Sequence, residues 1–480
     1  LQFTVHSYFQ SLFSNYYSNL QNETNNIPEY EILALYDFYN ATMGSEWRWG
    51  GEAGSQWVFD SSTNPCSPKW QGITCSTNIS TDGYLHVENL YLPFFNVYGY
   101  IPDSIGNLTY LTFIDLSNNM LSGRPLPNTI GNLHKLVTLE LGSSSIYGNL
   151  PSSIGGLYSL QTMSLGYNML DGELATGLCN LTSLTDMELQ KNMITGSIPE
   201  CIEQLSQLQL LQLFDNFLEG TLPPQLGNLT SLWALALSGN IYIYGSIPDS
   251  LALLTELRMI GLSNNQITGT IPDYFGNYTY LQYIDLDFNH IHGTIPESIG
   301  NLQDLGDLII YSNHLTGTIP QSLVKLSKLY DLSLQNNELT GTIPSGLSEL
   351  SHLQYITLHS NQLSGTIPNT LSNLTQLLQI FLEKNYLTGT IPPIFQNLTR
   401  LEGFAVNLNS LTGTIPTYLL DRPELLVVEL SSNHLEGTFP KPIASNWSHI
   451  AALSCASNYL TGPFPEGLDN SNALQYLNLS

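Results

Sequence analysis

The sequence predicts an α/β repeat solenoid, and three observations predict it. The 480-residue chain is self-similar at a period of 24: residues 329–352 read LYDLSLQNNELTGTIPSGLSELSH and 353–376 read LQYITLHSNQLSGTIPNTLSNLTQ. The shared template is L-x-x-L-x-L-x-x-N-x-L-x-G-x-I-P-x-x-L-x-x-L-x-x, beginning at Val87, Leu111, Leu136 and so on to Leu474, which makes sixteen full turns and a terminal fragment. Repeats of this length bury their apolar side only against neighbouring repeats, so the array stacks.

The L-x-L alternation at positions four to six reads as a short strand with leucines inward. Position nine is Asn in fourteen turns, among them Asn119, Asn168, Asn289, Asn337 and Asn433; Phe95 and Ser144 take its place in the first and third. At one height in every turn, such an amide can bond the backbone of neighbouring turns. Gly at position thirteen suits a turn, and the Pro at sixteen breaks strand or helix. Ahead of the repeats, residues 28–43 (PEYEILALYDFYNATM) read as a helix with Pro28 at its start and Gly44 past its end. Val5, Tyr8, Phe9, Leu12, Phe13, Tyr16 and Leu20 mark one face of a further amphipathic helix over about 4–20, which either packs on the cap or docks another molecule. The expected organisation is a cap over 1–86 and repeats over 87–480.

The template resembles the leucine-rich repeat family, and the L-x-G-x-I-P segment resembles its plant-type subclass of receptor-kinase ectodomains, receptor-like proteins and polygalacturonase inhibitors. That resemblance implies a right-handed curved superhelix with a parallel concave sheet. Cys66 and Cys75 bracket Trp70 in NPCSPKWQGITC, similar to the family's amino-terminal cap, whose paired cysteines form a disulfide. Cys179 and Cys201 fall in adjacent turns, close enough to pair, with two separate buried thiols as the alternative. Cys455 sits at a core leucine position and reads as an inert thiol.

Eleven N-x-S/T sequons occur, at Asn22, Asn40, Asn78, Asn107, Asn180, Asn228, Asn277, Asn373, Asn397, Asn446 and Asn478. Asn107, Asn180, Asn228, Asn277, Asn373 and Asn397 share position 21 and would form a glycan stripe away from the strands. With the cysteines they favour a secreted eukaryotic glycoprotein. The start at Leu1 rather than Met is what removal of a leader would leave.

Charged residues are only 11% of the chain, with 39 acids against 12 bases and a formal net charge of −27. Such a surface repels phosphate backbones, which excludes nucleic-acid binding, and anionic membranes are disfavoured. It also argues against work in a polyanionic pectin wall. No stretch approaches the ~18 apolar residues of a membrane span. No nucleotide, zinc-protease, hydrolase or redox signature is present, so no catalytic residue, cofactor or metal is expected. His290, His292 and His314 come nearest to a metal cluster but lack a further ligand.

Binding is expected on the outward positions two, three, five, seven and eight of the strands. There an aromatic and acidic patch gathers: Phe214, Trp233, Tyr283, Asp285, Asp287, Phe288, Asp307, Tyr311, Tyr330, Asp331, Tyr355 and Phe381. Rings supply contact area and carboxylates attract cations, which suits a basic peptide or protein ligand; the alternative is a solvated face with Tyr as a strand former. The expected role is therefore a non-enzymatic extracellular recognition or scaffold module. Ectodomains of the subclass usually end in a cysteine-bearing cap, whereas this sequence stops at Ser480 within a strand. Either the chain continues, or only a segment is given, or a second copy covers the end and head-to-tail stacking yields a filament.

Overall fold

A computed structural model describes residues 27–50, 54–59, 64–392, 397–419, 424–440, 450–463 and 473–479. The amphipathic segment 4–20, Asn22 and Asn446 lie outside the described residues. The chain divides into two compact units, Leu1–Glu219 and Gly220–Ser480, with the boundary inside the sixth repeat.

In the first unit the cap helix α1 runs Glu29–Ala41 and buries Ile32, Ala34, Leu35 and Phe38. Pro28 precedes it, and Glu29 and Glu31 place negative charge where the helix dipole favours it. Phe38, Trp47, Trp57 and Trp70 pack beneath. The indole N–H groups are satisfied at depth, Trp47 by Thr42 O and Trp57 by Gln71 O, both at 2.8 Å. Glu31 is fully buried. Its carboxylate accepts from Val87 N at 2.8 Å and pairs with His86 Nδ1 at 2.6 Å, which ties the helix to the first repeat strand. Burial holds the Glu31 carboxyl above its usual range despite these two partners. Cys66 and Cys75 are joined by a disulfide. The strand Ile73–Cys75 pairs antiparallel with Val87–Tyr91 and opens the main ladder. Phe113–Asp115, Thr138–Glu140, Thr162–Ser164, Asp186–Glu188 and Leu210–Gln212 follow in parallel register.

The second unit repeats the arrangement. Its main ladder runs Ala234–Ala236, Met259–Gly261, Tyr283–Asp285, Asp307–Ile309, Asp331–Ser333, Tyr355–Thr357, Gln379–Phe381, Gly403–Ala405, Val427–Glu429, Ala452–Ser454 and Tyr476–Asn478, all parallel. Leucine and isoleucine at positions one, four, six, eleven, nineteen and twenty-two form the core, as Leu281, Ile284, Leu286, Ile291, Ile299 and Leu302 show at 1% exposure or less.

The position-nine amides act as the sequence reading expects. Asn313 Oδ1 accepts from Ile291 N at 2.9 Å, while its Nδ2 donates to Leu286 O at 3.0 Å in the preceding turn and to Ile310 O at 3.3 Å in its own. Besides the turns of Phe95 and Ser144, which lack the amide, the column is interrupted at Asn265 among the described residues. The turn from Leu232 carries a residue beyond the 24-residue period, Ile243 N bonds Asn240 O instead, and Asn265 Oδ1 is left buried without a partner.

One local expectation is corrected. The x-G-x segment at positions twelve to fourteen does not merely turn: it forms a second short strand, such as His292–Thr294 paired with His314–Thr316. His292 N reaches Gly269 O at 2.8 Å, so backbone pairing with the preceding turn wins over turn propensity. Gly293 takes φ +80°, and a Cβ there would lie 2.9 Å from Thr270 Cγ2, which is why glycine is required. The segment after the proline is a short 3₁₀ helix, as at Glu297–Asn301. Among the described residues α1 is the α-helix. No described helix is long and apolar enough to cross a membrane.

Candidate ligand-binding face

In the second unit, the strands Met259–Gly261 through Tyr355–Thr357 bring most of the expected patch together. In-register pairing sets Tyr283, Asp307, Asp331 and Tyr355 side by side at position three, and Gly261 beside Asp285 at position five. Neighbouring strands lie about 4.8 Å apart, so side chains on consecutive turns are forced into contact.

The contacts form one connected network around Asp285 and Asp287 and two smaller groups beside it. Asp285 Oδ2 accepts from Ser263 Oγ at 2.8 Å and from the Tyr283 hydroxyl at 3.4 Å. Asp287 N donates to Asp285 Oδ1 at 3.4 Å. The Tyr311 hydroxyl hydrogen-bonds the Asp287 carboxyl. Phe288 meets Tyr311 edge-on with centroids 5.2 Å apart, and Tyr330 meets Tyr355 at 5.3 Å. Asp331 is held by Ser333 Oγ at 2.6 Å.

Exposure differs from the expectation that all five positions face water. Trp233, Phe288 and Tyr330 are exposed, but Tyr283, Tyr311, Tyr355, Phe381, Asp285, Asp307 and Asp331 are half-buried and Asp287 is buried. Large rings crowd carboxylates on adjacent strands. The Phe381 ring covers Gly403, where a Cβ would come within 2.9 Å of its Cε1. Trp233 stands at position two beside buried Ala234 and Ala236. Phe214 is half-buried in the first unit and does not join this network.

Burial changes the electrostatics. Desolvation raises the carboxyls of Asp285, Asp307 and Asp331 above the usual aspartate range. For Asp287 desolvation, with Asp285 beside it, raises the carboxyl to about 6 even though Tyr311 donates to it. The hydroxyls of Tyr283 and Tyr311 are pushed up chiefly by burial and stay protonated donors. Part of the acidic face therefore carries protons in mildly acidic solution and becomes a stronger cation trap as pH rises through 6.

Phe288 adopts a left-handed backbone, φ +46°. Position eight does so in all sixteen full turns, and in three of them it is Asn, which tolerates the conformation better. The ladder imposes it: Phe288 N donates to Tyr311 O at 3.1 Å. An exposed ring is thus held on a strained, fixed stalk.

The sequence reading names Asp287 and Tyr311 at position seven but not Ser263 and His359 in the same column. Ser263 anchors Asp285, and His359 Nδ1 lies 3.9 Å from Glu383 Oε1. Burial lowers the His359 ring's proton affinity and raises the Glu383 carboxyl. Reading equal positions down consecutive turns was the signal that would have found them.

Cys179 and Cys201 are joined with Cα atoms 5.7 Å apart, and Cys455 is a buried thiol whose pKa burial pushes up to about 11. Asn107, Asn180, Asn228, Asn277 and Asn373 end 3₁₀ turns and are exposed, as are Asn40, Asn78 and Asn397. Asn478 is half-buried within a strand. The His290 and His314 rings stack at 5.9 Å, and among the described residues no group of three or more potential ligands is placed to hold a metal.

Comparison with known proteins matches residues 262–456 to a model described as a leucine-rich repeat region, 28–76 to a leucine rich repeat N-terminal domain and 110–133 to a Leucine Rich Repeat. A curated relative, a probable LRR receptor-like serine/threonine-protein kinase from Arabidopsis thaliana, is 32% identical over 121 residues, which are 24% of this chain and 11% of that protein. Among solved structures, a TDR receptor is 32% identical with a TM-score of 0.77, covering 81% of this chain and 67% of that one. The plant peptide hormone receptor RGFR1, in complex with RGF2, is 34% identical with a TM-score of 0.69, covering 80% and 69%.

Proposed function

Because the chain belongs to the leucine-rich repeat family and is similar to plant receptor ectodomains, we propose that it is a non-enzymatic, extracellular or cell-surface recognition module. Its ligand is an extended, cationic peptide or protein segment held on the ladder of the second unit. The observation that carries this is the network of Tyr283, Asp285, Asp287 and Tyr311 with the exposed ring of Phe288 on it and the exposed rings of Trp233 and Tyr330 on other strands of the same ladder. Rings on rigid strands offer area at small entropic cost, and the half-buried carboxylates favour an ammonium or guanidinium over a neutral group. The peptide complex of the similar receptor RGFR1 supports this class of ligand.

The test is selection of binders from a displayed library of extended peptides, with and without Lys and Arg. The triple variant Trp233→Ala/Phe288→Ala/Tyr330→Ala should lose at least tenfold in affinity for the selected peptides at a nearly unchanged melting temperature. Equal binding by the variant, or no preference for cationic sequences, contradicts the proposal. The stacking of copies into a filament has no observation among the described residues in its favour.

A further inference from the structure

In the first unit, on the side of the repeats opposite the ladder, lies a hollow of about 490 Å³ lined by Tyr30, Gly106, Asn107, Thr109, Asn132 and His134. Two features set it apart. It contains both determinants of a single sequon, the Asn107 acceptor and Thr109, so a sugar on Asn107 begins inside it. Its walls come from three successive elements: α1, the 3₁₀ turn Asp103–Asn107 and the 3₁₀ turn Asn128–Asn132.

The walls are held from behind. Tyr30 precedes Glu31, whose carboxylate is locked to His86 and Val87 N, so the ring is presented from a fixed helix. His134 bonds Gly156 O at 2.7 Å through Nδ1, and its ring stacks on Tyr158 at 5.1 Å. At Asn132, the same repeat position one turn on, His134 stands where a sequon would need Ser or Thr, so the Asn132 amide stays free of sugar and remains a polar wall. A ring on one side, an amide and an imidazole on the other, and a volume within the ~300–1,000 Å³ range of small-molecule sites suit a pyranose with an acetamido group.

We infer that the innermost N-acetylglucosamine of a glycan on Asn107 seats in this hollow against Tyr30 and clamps the cap helix to the first two turns. Attachment replaces one Nδ2–H of Asn107 by a bond to sugar C1. The C1–O bond to the diphosphate of a lipid-linked oligosaccharide donor breaks, and the amide proton leaves with that diphosphate. The inference rests on the extracellular placement proposed above.

The experiment uses the full chain secreted from a eukaryotic host. Mass spectrometry of peptides spanning Asn107 and Asn180 should show both glycosylated. Both bare overturns the inference together with the extracellular reading; Asn180 occupied and Asn107 bare overturns the inference alone. Melting temperatures then compare Tyr30→Ala, Asn107→Gln, Thr109→Ala, their combination Tyr30→Ala/Asn107→Gln, and Asn180→Gln, which removes a sugar at the same repeat position outside the hollow. Each of the first three should fall by about 2 °C or more, and the combination should fall no further than its larger single change. Asn180→Gln should leave the value unchanged. Additive losses, or an equal fall for Asn180→Gln, overturn the clamp. Native enzymatic release of the glycan should also be slower at Asn107 than at Asn180 and should equalise in Tyr30→Ala.

Discussion

Two stretches of ladder are built on one template and differ in what stands on it. From Phe113 to Gln190 in the first unit, position seven is Ser117, Gly142, Gly166 and Gln190, and position five is Asp115, Glu140, Ser164 and Glu188. From Tyr283 to His359 in the second, position seven is Asp287, Tyr311, Gln335 and His359, and position three brings Tyr283, Asp307, Asp331 and Tyr355. The backbone registers are alike. At Gly142 the strand floor is bare, because an added Cβ would meet nothing nearer than 3.5 Å, whereas at Gly166 the Gln190 side chain would lie 2.7 Å from it. Where position seven is Tyr311, a ring walls in the carboxylate beside it and desolvates it. The scaffold is indifferent to these positions, so function is written on them and stability beneath them.

The largest expected effect tests the shared scaffold. Asn313→Ala and Asn168→Ala each strip two or more buried backbone groups of partners. Each should destabilise by about 2–3 kcal/mol in urea unfolding. A large loss in one unit and none in the other would break the claim that the ladder is the same device in both.

Next comes pH. Asp287 binds its proton more tightly folded than unfolded, so its contribution makes the protein more stable as pH falls from 7 through about 6 toward the usual aspartate range. Asp287→Asn should remove that contribution. The wild type should gain about 1–3 kcal/mol relative to the variant between pH 7 and pH 4, read from paired denaturation curves. A difference that stays constant with pH would mean the carboxyl is not desolvated.

Phe288→Asn sharpens the separation of function from stability. Asn relieves the left-handed backbone by about 1 kcal/mol, which offsets the lost edge contact with Tyr311. The melting temperature should stay within about 2 °C while capture of selected peptides falls tenfold. A large loss of stability would make the ring structural. The smallest effect belongs to the bare floor: Gly142→Ala should change stability by less than about 0.5 kcal/mol.

The periodic leucines and the position-nine asparagines made the solenoid legible, because burial and hydrogen-bond satisfaction leave one arrangement for Leu286, Asn289 and their equivalents. The start of α1 was legible from Pro28 and its end within two residues of Ala41. Pairing between turns was not. The x-G-x strands at His292–Thr294 depend on a neighbour 22 residues away, and turn propensity points the other way. The unpartnered Asn265 oxygen follows from one extra residue a turn earlier, which composition does not reveal. For the site, residue identities were readable but depth was not: Asp287 looks like any strand acid until Tyr311 is placed over it. The hollow around Asn107 needed α1 and two turns side by side before Tyr30 could be connected to a sequon 77 positions on.

The most direct measurement is photo-crosslinking with a selected cationic peptide carrying a benzophenone, followed by mass spectrometry of the joined residues. The account predicts that crosslinks concentrate on residues 257–360, around Phe288, Tyr311 and Tyr330, and vanish when excess unlabelled peptide is added. Crosslinks that compete away equally well but fall on the 3₁₀ turns or on the second strands, with none on that ladder, would contradict it.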